Sequence, residues 1–184
     1  MTVWVSLLRG INLGARNKVP MPALREALGE AGFGDVRTYV QSGNVVTSSR
    51  HRSPERVAST VRAVVAARFG LDVPVVVRSP AALRAVLDWD PFPDASATRP
   101  KVVQVAHLFG TPDPADVEAL LAAAAALPER VTVRGEEVVV DYVDAIHTAT
   151  VQGPWLRARL GGIDATARNW RTLTALCELT REVS

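Results

Sequence analysis

The chain has 184 residues, of which 48% are hydrophobic and 22% charged, a composition typical of a folded globular protein. Its formal net charge is only +2, so it lacks the large cationic excess of a dedicated nucleic-acid-binding protein. The single cysteine, Cys177, excludes an internal disulfide and a cysteine-based metal cluster. The first apolar run meets Arg9 too early for a signal peptide or a membrane span. We therefore expect a cytoplasmic protein without membrane contact.

The first part of the chain alternates between strand-like and helix-like segments. A Gly-containing turn at 41–44 separates two strand-like runs and predicts a hairpin. Ser53 and Gly70 are typical residues for the start and end of a helix. In chain order, the predicted elements are a strand at 3–8, a helix at 20–31, strands at 36–40 and 45–49, a helix at 53–70 and a strand at 74–77. This order, βαββαβ, is typical of a ferredoxin-like fold.

The second part repeats most of this order. The predicted elements are a helix at 79–87, a linker at 90–100, a strand at 101–109, a helix at 113–127, a hairpin of 131–133 and 138–142, and helices at 155–160 and 166–181. The last helix, with Thr166 as its N-cap, stands where a fourth strand would complete the repeat. The sequence thus predicts an α+β protein of two ferredoxin-like halves, at 1–78 and 101–184, the second ending in an extra C-terminal helix, with a short helix and linker at 79–100.

A basic loop after the first strand is the first candidate site. Gly10 and Gly14 permit backbone conformations that bring amide groups close to a ligand, and Arg9, Arg16 and Lys18 favour an anion. The predicted ligand-binding residues are Arg9, Asn12, Lys18, Gln41, Ser42 and Asn44, together with Arg168 and Asn169. In the alternative interpretation Asn12 and Asn44 only shape turns, Arg9 caps a strand or pairs with a carboxylate, and Trp170 belongs to the core. The sequence alone leaves open whether the loop and the 41–44 turn converge.

Several separated motifs resemble one family. They are Leu7-Leu8-Arg9-Gly10-Ile11-Asn12, Asn17-Lys18-Val19-Pro20-Met21, the segment from Arg37 to Val46, and Thr166-Ala167-Arg168-Asn169-Trp170-Arg171-Thr172. Together they are similar to the domain of unknown function 1697 family. The resemblance implies a compact α+β fold with ferredoxin-like subdomains and no particular activity. The chain departs from the family pattern at 145–150, where a Gly-rich segment with Ser and Lys is expected.

Other chemistry has little support in the sequence. The histidines lack metal-ligand spacing, no nucleotide or nucleophile motif is present, and we expect neither a metal nor a cofactor. We interpret His107 as a sheet histidine and Cys177 as a buried, unreactive thiol. His147 lies in a loop and is the more plausible base, and Asp141 and Asp144 either orient it or are surface charges. No catalytic residue is assigned, and enzymatic activity stays open. Two partner classes remain: an anionic small molecule at the Arg9–Asn12 loop, or nucleic acid or protein bound non-enzymatically by a basic surface. The oligomeric state is not encoded in any pattern we recognise.

Overall fold

A computed structural model describes residues 1–14, 16–143 and 146–183 of the chain. The chain divides into two compact units, one of residues 1–85 and 174–184 and the other of residues 86–173. The described helices include none that is long and apolar enough to cross a bilayer. Both units contain one four-stranded antiparallel sheet with helices, so the predicted α+β class with two ferredoxin-like halves is confirmed.

The first unit contains the predicted βαββαβ order. Its elements are β1 (Thr2–Leu8), α1 (Met21–Glu30), β2 (Gly34–Tyr39), β3 (Asn44–Ser49), α2 (Pro54–Phe69) and β4 (Val75–Arg78). The strands lie in the order β2-β3-β1-β4, so the first strand is central and the hairpin forms one edge. In the β1–β3 register, Leu7 lies opposite Asn44. The end of β1 therefore lies beside the start of β3.

Hydrophobic periodicity explains how the two helices of this unit pack. Val57, Val61 and Val65 recur at helical spacing on α2, and all three are buried in one core cluster with Trp4 and Leu8 of β1. The Ser53 side chain accepts a hydrogen bond from the Arg56 amide at 3.3 Å and so caps the start of α2. Trp4 and Leu8, an even number of residues apart on β1, thus share the face of the sheet that packs against α2.

The second unit repeats the order around a second sheet. Its elements are α4 (Pro93–Thr98), β5 (Val103–Leu108), α5 (Pro114–Ala124), β6 (Arg130–Arg134), β7 (Glu137–Asp141), a 3₁₀ turn (Ile146–Thr148), α6 (Gly153–Arg159) and β8 (Ala165–Asn169). The strand order is β6-β7-β5-β8. The boundaries between the units fall within α3 (Pro80–Trp89) and α7 (Trp170–Leu179).

Two local predictions are wrong. The final helix does not begin at Thr166, because 165–169 form β8 and Thr166 lies opposite His107 of β5. The edge of β5 has backbone groups that need partners, and this pairing outweighs the local helical pattern. Asn169 caps α7 instead, accepting from the Thr172 amide at 2.8 Å. The predicted linker at 90–100 contains α4, whose first residue, Pro93, suits a helix start.

Gly43 provides a test of how tightly the β2–β3 turn packs. Its φ is +73°, and a Cβ there would lie 2.8 Å from both Leu8 Cβ and Ile11 Cδ1. We expect Gly43→Ala to lower the free energy of unfolding by about 2–4 kcal/mol, through left-handed strain and overpacking together. Urea denaturation measures this loss.

Gly135→Ala is the matched control. Gly135 has a φ of +58°, but nothing lies within 4 Å of its Cβ position. The Gly135→Ala variant should therefore lose only ~1–2 kcal/mol of unfolding free energy, from left-handed backbone strain alone. Equal losses in the two variants would contradict close packing at Gly43.

Candidate functional site

The loop after β1 and the β2–β3 turn meet at one end of the first sheet. The Leu8 amide donates to the Gly43 carbonyl at 2.9 Å. The Asn12 side-chain amide donates to the Gln41 carbonyl at 2.8 Å. The convergence that the sequence left open is therefore present, and it places Arg9, Asn12, Gln41, Ser42 and Asn44 in adjoining segments.

Asn12 holds the loop in place through its whole side-chain amide. Its Nδ2 also donates to the Val19 carbonyl at 2.9 Å, and its Oδ1 accepts from the Val19 amide at 2.8 Å. Asn12 and Asn17 adopt φ angles of 56° and 49°, a left-handed conformation that asparagine tolerates better than most residues. The Asn17 side chain closes the loop by donating to the Gly10 carbonyl at 3.0 Å. These amides bind the protein's own backbone, so a ligand-binding role for Asn12 stays a prediction.

Asn44 is wholly buried and organises the turn in the same way. Its Nδ2 donates to the Tyr39 carbonyl at 3.1 Å and to Ser42 Oγ at 2.9 Å. Between these residues Val40 has a φ of 49° and is 54% exposed. A β-branched residue rarely adopts this backbone conformation, and such strain persists only where surrounding contacts enforce it. The Asn44 and Gly43 contacts supply that enforcement.

The solvent-facing side of this assembly is cationic and polar. Its exposed residues include Arg16, Lys18, Gln41 and Ser42, and Arg9 is half-buried. In the described part of the chain, neither Arg16 nor Lys18 has an acidic partner. Segments 1–25 and 36–54 contain no aspartate or glutamate at all. We call the loop 9–14 and 16–19 together with the turn 40–43 the basic surface.

Arg168 and Asn169 lie in the other unit and have structural contacts there. Arg168 is buried on β8 and donates to Thr166 Oγ1 at 2.9 Å and to the Ala167 carbonyl at 2.8 Å. Burial lowers the pKa of its guanidinium to about 10, because desolvation disfavours the charged form. Asn169 caps α7, as described above. These contacts join parts of the protein to each other, so a contribution of Arg168 and Asn169 to a ligand site stays a prediction.

The histidines do not form a catalytic group with the described residues. His107 is fully buried, with its Nδ1 2.5 Å from Glu137 Oε2, as expected of a sheet histidine. His147 is exposed, whereas the Asp141 carboxylate accepts hydrogen bonds from Arg99 and Arg130. Asp144 lies outside the described residues. Within the described ranges no cluster of three or more His, Cys, Asp or Glu side chains could hold a metal.

Two clefts lie elsewhere in the described residues, and neither is lined by a member of the predicted ligand-binding set. One, of about 400 Å³, is lined by Phe33, Arg50 and His51 among others. The second, of about 150 Å³, is lined by residues that include Glu129 and Tyr142. Glu129 follows a proline between a helix and a strand, and no motif or spacing distinguishes it from a surface glutamate. Only the fold reveals that its carboxylate is buried.

Comparison with known proteins identifies the fold but no activity. The sequence profile of the family described as "Protein of unknown function (DUF1697)" matches residues 1–138. The structure described as that of conserved bacterial protein SP0830 from Streptococcus pneumoniae superimposes with a TM-score of 0.69. It is 24% identical in sequence and the match covers 97% of this chain and 98% of that chain, a likeness that shows the fold alone. No curated protein matches the chain significantly.

Asn12→Ala tests whether the side-chain amide holds the loop to the turn. The variant loses three side-chain hydrogen bonds, whereas Asn17→Ala, also at a left-handed position, loses one. We expect Asn12→Ala to lower the free energy of unfolding by about 1–3 kcal/mol more than Asn17→Ala does, at ~0.5–1.5 kcal/mol per bond. Urea denaturation gives both values, and hydrogen exchange at the Val19 amide should accelerate only in Asn12→Ala. Similar losses and unchanged exchange would refute this role.

Proposed function

We propose that this chain, which belongs to the DUF1697 family, binds an anionic ligand carrying phosphate groups through its basic surface. The proposal rests on the hydrogen bond from the Asn12 side chain to the Gln41 carbonyl, which attaches the cationic loop to the β2–β3 turn. A loop held in this way presents its charges with less loss of conformational entropy on binding than a free loop would. Cations that are already held in position can bind phosphate through charge-assisted hydrogen bonds.

The charge distribution supports an anion rather than a neutral ligand. Two arginines of the same unit are neutralised locally, Arg62 by Asp72 and Arg68 by Glu26. Arg16 and Lys18 have no such partner among the described residues, and the segments around them lack acidic side chains. No described carboxylate forms an ion pair with them, which favours association with anions.

The exposure of the basic surface favours a second candidate, a nucleic acid. Small-molecule sites are usually concave and enclose most of the ligand, whereas Lys18, Gln41 and Ser42 are all exposed. Leu13, in the same loop, is 70% exposed and offers apolar contact beside the charges. A single strand whose phosphates track the exposed cations would use this surface without an enclosed pocket.

Lys18→Ala and Lys101→Ala form a matched test, because these are the chain's only lysines and both are exposed. Each variant removes one positive charge, but only Lys18 lies in the basic surface. We expect Lys18→Ala to weaken the binding of inorganic triphosphate about 1.4-fold to fivefold, as the ~0.2–1 kcal/mol of an exposed ion pair implies. Lys101→Ala should bind as the wild type does, in isothermal titration calorimetry at low salt.

A short single-stranded oligonucleotide serves as the second ligand in the same titrations. Oligonucleotide binding that weakens steeply with salt, in the absence of triphosphate binding, would support the nucleic-acid function. Equal effects of the two lysine variants would show that only net charge matters and would refute a site at the loop. An absence of binding to either ligand would refute both functions.

A further inference from the structure

The second unit contains a small cleft whose wall includes a buried, incompletely bonded carboxylate. Glu129 lines this cleft and is only 8% exposed. Its Oε1 accepts a hydrogen bond from the Thr150 amide at 2.9 Å. Its Oε2 is buried and has no hydrogen-bond partner among the described residues, and no described cation forms an ion pair with the carboxylate.

An arrangement of this kind is costly without a ligand. A buried carboxylate is normally paired with a cation or saturated with hydrogen bonds, because burial removes the water that would otherwise solvate it. The adjacent Arg130 does not pair with Glu129, because its guanidinium donates hydrogen bonds to Asp94 and Asp141. The Glu129 carboxylate therefore lacks a positively charged hydrogen-bond donor, which a ligand in the cleft would supply.

Tyr142 supplies a second acceptor at the same cleft. Its hydroxyl donates to the Val151 carbonyl at 2.5 Å, so the hydroxyl oxygen keeps lone pairs that can accept. Burial, with a smaller contribution from the negative charge of Glu129, raises the pKa of this hydroxyl to about 12. The hydroxyl therefore stays neutral at physiological pH and adds an acceptor without adding a second negative charge.

The size and remaining walls of the cleft define the kind of cation. Its volume of about 150 Å³ equals that of about five waters, well below the ~300–1,000 Å³ of sites for larger ligands. Pro128, Val143 and Ala149 contribute apolar surface. A metal ion is disfavoured because the described residues include no cluster of ligands for one.

We propose that this cleft binds a primary ammonium group carried on a short apolar chain, with Glu129 Oε2 and the Tyr142 hydroxyl as acceptors. The ammonium supplies the cation that the buried carboxylate lacks, and the apolar chain contacts the proline, valine and alanine walls. The site is independent of the basic surface and selects the opposite charge.

The test uses n-butylammonium chloride as the probe and the full chain, followed by NMR. We expect the Thr150 amide signal, which reports on Glu129 Oε1, to shift saturably with n-butylammonium and not with 1-butanol or with sodium chloride at equal ionic strength. Glu129→Gln keeps the size and an oxygen acceptor but removes the charge. It should weaken binding at least about tenfold, as expected when a charge-assisted hydrogen bond is lost.

Glu118→Gln is the control, because Glu118 is an exposed residue of α5 and the substitution changes net charge equally. It should bind as the wild type does. The proposal is overturned if wild-type protein shows no saturable shift at Thr150, if 1-butanol binds equally well, or if Glu129→Gln binds n-butylammonium unchanged. Should Glu129→Gln fail to fold, the comparison of butylammonium with butanol on wild-type protein decides.

Discussion

The antiparallel pairing of β1 with β3 is the contact on which the basic surface depends. Because Leu7 lies opposite Asn44, the chain leaves β1 at the point where it enters β3. The loop and the turn are then close enough for the Leu8 amide to reach the Gly43 carbonyl and for Asn12 to reach Gln41. A register shifted by one residue would displace Gly43 from the Leu8 amide and Gln41 from the Asn12 side chain. Sheet register thus determines the site.

The buried carboxylates of the second unit, Asp141, Glu137 and Glu129, have different partners. Asp141 is 1% exposed, and its oxygens accept hydrogen bonds from both Arg99 and Arg130, at distances of 2.8 to 3.1 Å. Such saturation offsets the desolvation cost of a buried charge. Glu129, in the same unit, has one backbone amide and no cation among the described residues. Glu137 lies against His107, so Glu129 differs from both of the other carboxylates and requires a separate explanation.

An element can be predicted from the sequence where its conformation depends on residues close together in the chain. The valines of α2 and the turn around Gly43 are examples, since periodicity and turn chemistry act within a few residues. β8 could not be predicted in this way, because its conformation depends on pairing with β5, far away in the sequence. The same holds for α4, which begins within a segment whose composition is typical of a linker.

The site shows the same limit at the level of side chains. Residue type singled out the loop and the turn, but it could not distinguish an asparagine that binds ligand from one that binds backbone. For Asn12 and Asn44 the hydrogen-bond partners, available only from the fold, show how the amides are used. The burial of Glu129 could not be predicted from the sequence for a related reason, because burial of a single acidic residue leaves no periodic pattern.

Burial also determines how each site should respond to its surroundings. The charges of Arg16 and Lys18 are exposed, and at ~0.1 M salt interactions beyond about 10 Å are largely screened. Binding at the basic surface should therefore depend on several cations acting together and on ionic strength. The Glu129 carboxylate lies away from solvent, where screening is weaker and one contact has a larger effect. Exposed charge provides attraction at a distance, whereas buried charge provides selectivity at contact, and this difference separates the two proposed sites.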